Sequence, residues 1–369
     1  MPFTLLASGY SSDISTLSLD LSASPSLIKT STVPAGTAPT WLTLSPTKVV
    51  YTGDEFSEPD GALSAFTVGK DGQLSPLSQA KSGTGPVHFV LSKSGRTLYS
   101  ANYGSGSLTT VGIKEDGGFV EGSEKTVSYT GTGPNKERQE GPHPHGVFLD
   151  PTGDYLLVAD LGTDMLRVYY VADDMFEERP AISLPPGNGP RHLVVSPPSN
   201  SSSKTLLYLV EEITSTLAIF EVIYPPSSDD TLSLAAIQTE LSTLPPDASS
   251  FQGDWTAAEL AFSADGKYLY VSNRAPLDPH PESDTLAIFE INAEGGVVTS
   301  QPPTFFALGG RGPRHFSLTP KKDGVPAGKY MAVALQRTNE VVVFEAEGKN
   351  LTEVARVKDV KEPTAVVWL

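Results

Sequence analysis

The sequence predicts an all-β fold, a seven-bladed β-propeller whose last blade is closed by both chain termini, with residues 1–369 forming one such domain. Three observations lead there. One strand pattern recurs six times with a period of roughly 50 residues, which marks a propeller or solenoid before any motif is considered. A seventh copy is split between the two ends of the chain. The composition, with 33 glycines, 31 prolines and 38% hydrophobic residues, suits many short strands joined by turns better than long helices.

The six copies are PTWLTLSPTKVVYTGDE from Pro39, PVHFVLSKSGRTLYSANY from Pro86, PHGVFLDPTGDYLLVADL from Pro144, PRHLVVSPPSNSSSKTLLYLVEE from Pro190, AAELAFSADGKYLYVSNR from Ala257 and PRHFSLTPKKDGVPAGKYMAVALQ from Pro313. Each has an alternating strand, a turn rich in Ser, Pro, Asp or Gly, a second strand, and then a third such as LAIFEV from Leu217. That is most of a four-stranded blade. The seventh copy, PTAVVWL from Pro363, stops at Leu369, and its missing strands stand at the other terminus as FTLLASGY from Phe3 and STLSLDL from Ser15. Pairing the ends removes the open edges of an unclosed ring. Two stretches interrupt the period. Residues 224–254, rich in Pro, Ser and Asp, read as a long insertion because the repeat resumes after them. Residues 130–141 carry Lys136, Glu137, Arg138 and Gln139 just before His143, and insertions on one face of a repeat fold either shape a binding site or decorate the surface.

Acidic residues number 43 against 26 Lys and Arg, for a formal charge of −17. Nucleic acid and anionic membrane are therefore poor partners, since both require a basic face. An anionic ligand would have to be held by locally placed arginines. The absence of cysteine excludes disulfides and thiolate metal sites and fits a reducing compartment, so a cytoplasmic protein is expected. The start, Met1-Pro2-Phe3-Thr4-Leu5-Leu6, has no basic n-region, and no stretch reads as a bilayer span. The sequons at Asn200 and Asn350 read as chance without a secretion signal. Monomer and homo-oligomer both stay open.

In register, the repeats expose two columns. One follows the proline that opens each first strand: Thr40, Val87, His145, Arg191, Ala258, Arg314 and Thr364. The other follows each second strand: Tyr10, Glu55, Tyr103, Leu161, Glu212, Arg274 and Gln336. Equivalent positions of radial blades form rings around the axis. The polar exceptions cluster in blade order, with His145 in the third repeat, Arg191 and Glu212 in the fourth, and Arg274 in the fifth. Two guanidiniums suit bidentate capture of a carboxylate or phosphate, and a Glu or His beside them can move a proton. The bland alternative is a channel plug in which Arg and Glu pair only with each other. His88, His192 and His315 repeat one column and read first as a packing or hydrogen-bonding device. Asp54, Asn102, Asp160, Glu211 and Asn273 repeat another and read as turn organisers. His143, His192, Arg314, Glu211 and Gln336 are kept as candidate substrate contacts. HPH at 143–145 puts two histidines on one side of an extended strand, yet no H-E-x-x-H and no Asp-rich calcium loop accompanies it, so neither metal nor cofactor is expected. Nucleophile elbow, P-loop and dinucleotide fingerprint are all missing.

At these residues the sequence resembles the seven-bladed propeller lactonases, which include a bacterial type of 6-phosphogluconolactonase and the fungal 3-carboxy-cis,cis-muconate lactonizing enzyme. The stretches that carry the resemblance are GPHPHGVFLDPTGDYLLVADLGTD, GPRHLVVS with VEEITSTLAIFEV, and WTAAELAFSADGKYLYVSNRA. With the blade pattern it covers essentially the whole chain. The resemblance implies an active site of His145, Arg191, Glu212 and Arg274, with Glu211 in place of Glu212 if the alignment slips by one residue after the lengthened turn SNSSSK. GPRH, AAELAFSADGKYLYVSNR and DLGTD are closer to the bacterial branch. The expected function is thus metal-independent hydrolysis of a small anionic lactone, sugar-type or carboxylated. Arg191 and Arg274 would hold the anion, and His145 and Glu212 would share the roles of acid and base. A carboxymuconate cycloisomerase is the alternative, and a non-catalytic propeller scaffold the third reading.

Overall fold

A computed structural model describes residues 3–196, 204–227, 230–277, 281–297, 302–322 and 324–369. The sequon at Asn200 and most of the lengthened turn lie outside the described residues. The chain forms seven four-stranded antiparallel sheets. Their first strands, Pro39–Leu44, Pro86–Leu91, Pro144–Leu149, Pro190–Ser196, Thr256–Phe262, Pro313–Leu318 and Pro363–Trp368, each touch the next, and the last touches the first, so they close a ring around the axis. We number the blades 1 to 7 in that order.

Every blade is buried on both faces, which explains strands that read as apolar runs. In Tyr155–Asp160, Leu156 and Val158 pack toward blade 2, while Tyr155, Leu157 and Ala159 pack toward blade 4. The period-two geometry of a strand divides its side chains between two neighbours in this way. Among the described residues the hydrophobic core is consequently not one mass but a cluster between each pair of adjacent blades, with a small further one of Ala248, Trp255 and Ala275.

Blade 7 is built as the split repeat requires. Pro363–Trp368 is its inner strand and pairs with Phe3–Gly9, in the register Leu5 with Trp368 and Ala7 with Val366. The amide of Leu369 donates to the carbonyl of Thr4 (3.0 Å), and Tyr10 donates to Glu362 (3.1 Å).

One expectation is corrected. Residues 224–254 are not simply an insertion, because Ser233–Ser242 within them is the fourth strand of blade 4. Fourth strands lie outermost, with one face toward solvent, so their polar composition hides them among loop residues. No helix among the described residues is long and apolar enough to cross a membrane.

Candidate active site at the mouth of the channel

The residue after each second strand is held by one recurrent backbone bond. The amides of Glu55, Tyr103, Leu161, Glu212, Gln336 and Tyr10 donate to the carbonyls of Ala38, Gly85, His143, Gly189, Gly312 and Glu362, the residues just before the first-strand prolines. Repetition of this bond is what makes the column a ring. At Glu212 the bond is 2.7 Å long, and its acceptor Gly189 has a φ of +67°. A Cβ there would also lie 2.6 Å from Ile213 Cγ1, so the turn that aims Glu212 requires glycine.

Glu212 is the hub. Its Oε2 receives Arg191 Nε at 2.8 Å and Arg274 Nη2 at 3.2 Å, and His145 Nε2 lies 3.8 Å away. Its Oε1 receives Arg138 Nη2 at 2.7 Å. Arg191 also donates to the carbonyl of Ala258 at 2.7 Å, and Arg274 to that of Ala257 at 3.3 Å. The four residues named from the repeat register therefore meet at one carboxylate. Arg314 stands on the next blade, over the ring of Tyr10 at 5.7 Å, and lines a narrow axial space together with His145, Arg191, His192, Thr40 and Thr364.

Burial alone would push the Glu212 carboxyl up, but Arg274 and Arg191, then Arg138, hold it well below the usual carboxylate range. Burial, reinforced by Arg191, keeps His145 well below the usual histidine value, hence neutral. Burial pushes Arg274 down to about 9, which leaves it charged at neutral pH. Buried Arg274 Nε and His145 Nδ1 have no hydrogen-bond partner among the described residues. Such unused donors and acceptors in a polar pocket suit a ligand better than a sealed structural network.

Beneath this layer the next residues of four first strands, Trp41, His88, His192 and His315, pack their rings together around the axis. Trp41 lies 4.3 Å from the ring of His88, 4.8 Å from His315 and 5.4 Å from His192. His192 Nδ1 donates to Glu259 Oε2 at 3.0 Å, while His88 and His315 accept from the amides of Val147 and Val366. These histidines are the recurring packing device read from the repeat. His192 serves in that layer, with its ring edge on the cavity above.

Burial keeps His88, His145, His192 and His315 below the ordinary histidine value. Above about pH 6.5 neither folded nor unfolded imidazoles bind protons. As pH falls below that, the unfolded chain takes up protons that the folded ring refuses, a loss of about 1.4 kcal/mol per pH unit for each histidine until the folded values are reached. Glu259, raised by burial, opposes part of this by binding a proton in the folded state first. The melting temperature should therefore fall steeply between about pH 6.5 and 5, with a shallower fall in His192→Asn. A melting temperature independent of pH across that window would contradict the neutral layer.

Other candidates fall elsewhere. Glu211, the one-residue alternative, turns away from the cluster: its Oε2 accepts from Thr216 at 2.6 Å, and a further bond joins it to Asn188. Adjacent strand residues face opposite ways, which makes Glu211 a turn organiser like Asp54 and Asp160, whose carboxylates accept amides of the preceding loop. His143 stacks on Tyr103 at 4.3 Å and donates from Nδ1 to its carbonyl, so it buttresses the rim. Gln336 opens a short 3-10 turn and is held there through its amide. The turn instead brings Arg337 toward the site, where it donates to the carbonyl of Ala275. Sequence reasoning gave no role to Arg337, Tyr10, Glu55, Tyr103 or Arg138. Three of them share the Glu212 column, and Arg138 lies in the insertion at 130–141. Among the described residues no group of three or more His, Cys, Asp or Glu side chains is arranged to hold a metal ion.

Residues 3–368 match the family model described as lactonase, 7-bladed β-propeller. The chain belongs to this lactonase family. Among its relatives, the Arthroderma benhamiae protein named "Probable 6-phosphogluconolactonase" is 32% identical over 336 residues, covering 89% of this chain and 80% of that one. The Bacillus subtilis 6-phosphogluconolactonase is 26% identical over 335 residues, covering 90% and 87%. Among solved structures, a candidate 6-phosphogluconolactonase of Bacteroides fragilis superposes with a TM-score of 0.81 at 30% identity, covering 100% of this chain and 98% of that one. The cluster described above thus lies on a fold that the Bacteroides fragilis structure shares along 100% of this chain.

Proposed function

We propose that this chain hydrolyses the ring ester of an anionic sugar lactone, with a 6-phosphogluconolactone-type compound as substrate. One observation carries the reading: a buried carboxylate ringed by Arg138, Arg191 and Arg274, with a neutral imidazole beside it. Arg191 and Arg274 bind the lactone and stabilise negative charge on the carbonyl oxygen as a water oxygen adds to the carbonyl carbon. Glu212 takes the proton from that water through Oε1, the oxygen paired with Arg138 alone, once that guanidinium has moved off it. The ring C–O bond then breaks. The proton passes to the departing alkoxide by way of His145, 3.8 Å from the carboxylate, and the product is a hydroxy acid. Arg314 supplies a further positive charge to the anion. The names of the relatives support this substrate class, and the cysteine-free composition supports the cytoplasm as its compartment.

The test is a pH-stat assay of lactone opening with phosphogluconolactone and gluconolactone, alongside loss of carboxymuconate absorbance. Acid release from a sugar lactone above its spontaneous rate is the expected result. Turnover of carboxymuconate alone would replace this reading with the cycloisomerase, and no turnover of any of the three would overturn it.

A further inference from the structure

In the arrangement described both oxygens of Glu212 are occupied by guanidinium groups, so Oε1 has to be freed before it takes the proton of the attacking water. The three arginines differ in kind. Arg191 and Arg274 rise from blade strands, their side chains are 2% and 8% exposed, and each is also tied to a backbone carbonyl of blade 5. Neither can leave without stranding a buried charge. Arg138 comes from the loop at 130–141, and its side chain is 36% exposed.

The loop itself is anchored. Gln139 is fully buried and donates from Nε2 to the carbonyl of Leu161 at 2.8 Å, and its amide donates to Asn135. The amide of Arg138 is held by Asn135 Oδ1 at 3.1 Å. The backbone of Arg138 is thus fixed, while its side chain, the most exposed of the three, has the hydroxyl of Tyr103 as a second partner besides Glu212. Nearby, the Arg314 guanidinium forms no ion pair among the described residues, its near neighbour being the Tyr10 ring. Its charge is met only at longer range, by Glu55 and Glu212, so Arg138, Arg191, Arg274 and Arg314 face two carboxylates and leave the mouth net positive.

From this asymmetry we infer that Arg138 is a substrate-released partner of Glu212: the anionic group of the substrate draws the guanidinium away and thereby frees Oε1 to accept the proton of the attacking water. The inference rests on the lactonase reading and adds to it a reason for preferring charged lactones. A neutral lactone binds without moving Arg138 and meets a blocked base. An anionic lactone supplies the replacement counter-ion, and with one cation fewer on the carboxylate its basicity rises at the moment of use.

The test compares wild type, Arg138→Met and Arg138→Lys by initial rates on 6-phosphogluconolactone and on uncharged glucono-1,5-lactone, each corrected for spontaneous opening, with melting temperatures recorded for all three. With Arg138→Met the KM for the phosphorylated lactone should rise about 10- to 100-fold, the worth of one charge-assisted hydrogen bond. With the same variant, kcat on the uncharged lactone should rise, because the block on Oε1 is gone. Arg138→Lys should restore the preference for the charged substrate. A merely structural arginine would lower both activities together, so a fall in kcat on both lactones overturns the inference. Unchanged kinetics on both overturn it equally. A wild type that opens neither lactone overturns the lactonase reading instead.

Discussion

Glu212→Gln should reduce kcat for lactone opening by about 10²- to 10⁴-fold, the range set by loss of a positioned general base. The amide matches the carboxylate in shape, so the blade turn held by Gly189 persists. What disappears is the negative charge on which Arg191, Arg274 and Arg138 converge. Breaking a buried ion pair from one side costs about 3–5 kcal/mol, because the other side is left uncompensated. Spread over the large unfolding entropy of a chain this size, that lowers the melting temperature by only a few degrees. The variant should also gain affinity for inorganic phosphate, since the guanidiniums then lack a counter-ion. Phosphate should thus raise its melting temperature more than that of the wild type. His145→Ala should act more weakly, because Glu212 keeps its arginines. Undiminished turnover in Glu212→Gln would remove the carboxylate from the mechanism.

Deleting residues 366–369 should be the most damaging small truncation of the fold. Val366 is fully buried and Trp368 nearly so. The Trp368 ring meets Phe3 edge to face at 5.8 Å, and its Nε1 donates to the carbonyl of Ser317. Each such side chain contributes about 1.5–3 kcal/mol through burial. The strand Phe3–Gly9 would moreover become an unpaired edge facing the channel. Together these losses should lower the melting temperature on the order of 10 °C or prevent folding. Activity should fall in step, because Thr364 and Thr40 of the closing blades line the same axial space as His145 and Arg191. A truncated chain with unchanged melting temperature would mean that the ring holds without its closure.

Much of this molecule is legible from sequence because a propeller repeats its own grammar. Apolar alternation, turn residues and the opening proline recur at fixed offsets, so aligning the chain on itself predicted seven blades and the split seventh. The same register singled out His145, Arg191, Glu212 and Arg274, since positions equivalent in the repeat become neighbours around an axis. The outer strands escaped notice. Ser233–Ser242 turns one face to water, and a strand so exposed has no apolar signature to distinguish it from a loop.

Three matters were decided only by tertiary structure. Glu212 and Glu211 are chemically identical neighbours, and the backbone bond to Gly189 points one at the arginines and the other at Thr216. His192 and His145 differ by their layer in the channel, a depth that no one-dimensional register records. Arg138 reaches Glu212 across 74 residues of chain from a loop with no counterpart in the other repeats. Self-alignment can find what the blades have in common. The residue that occupies the last oxygen of the carboxylate comes from what they do not share, and only folding brings it there.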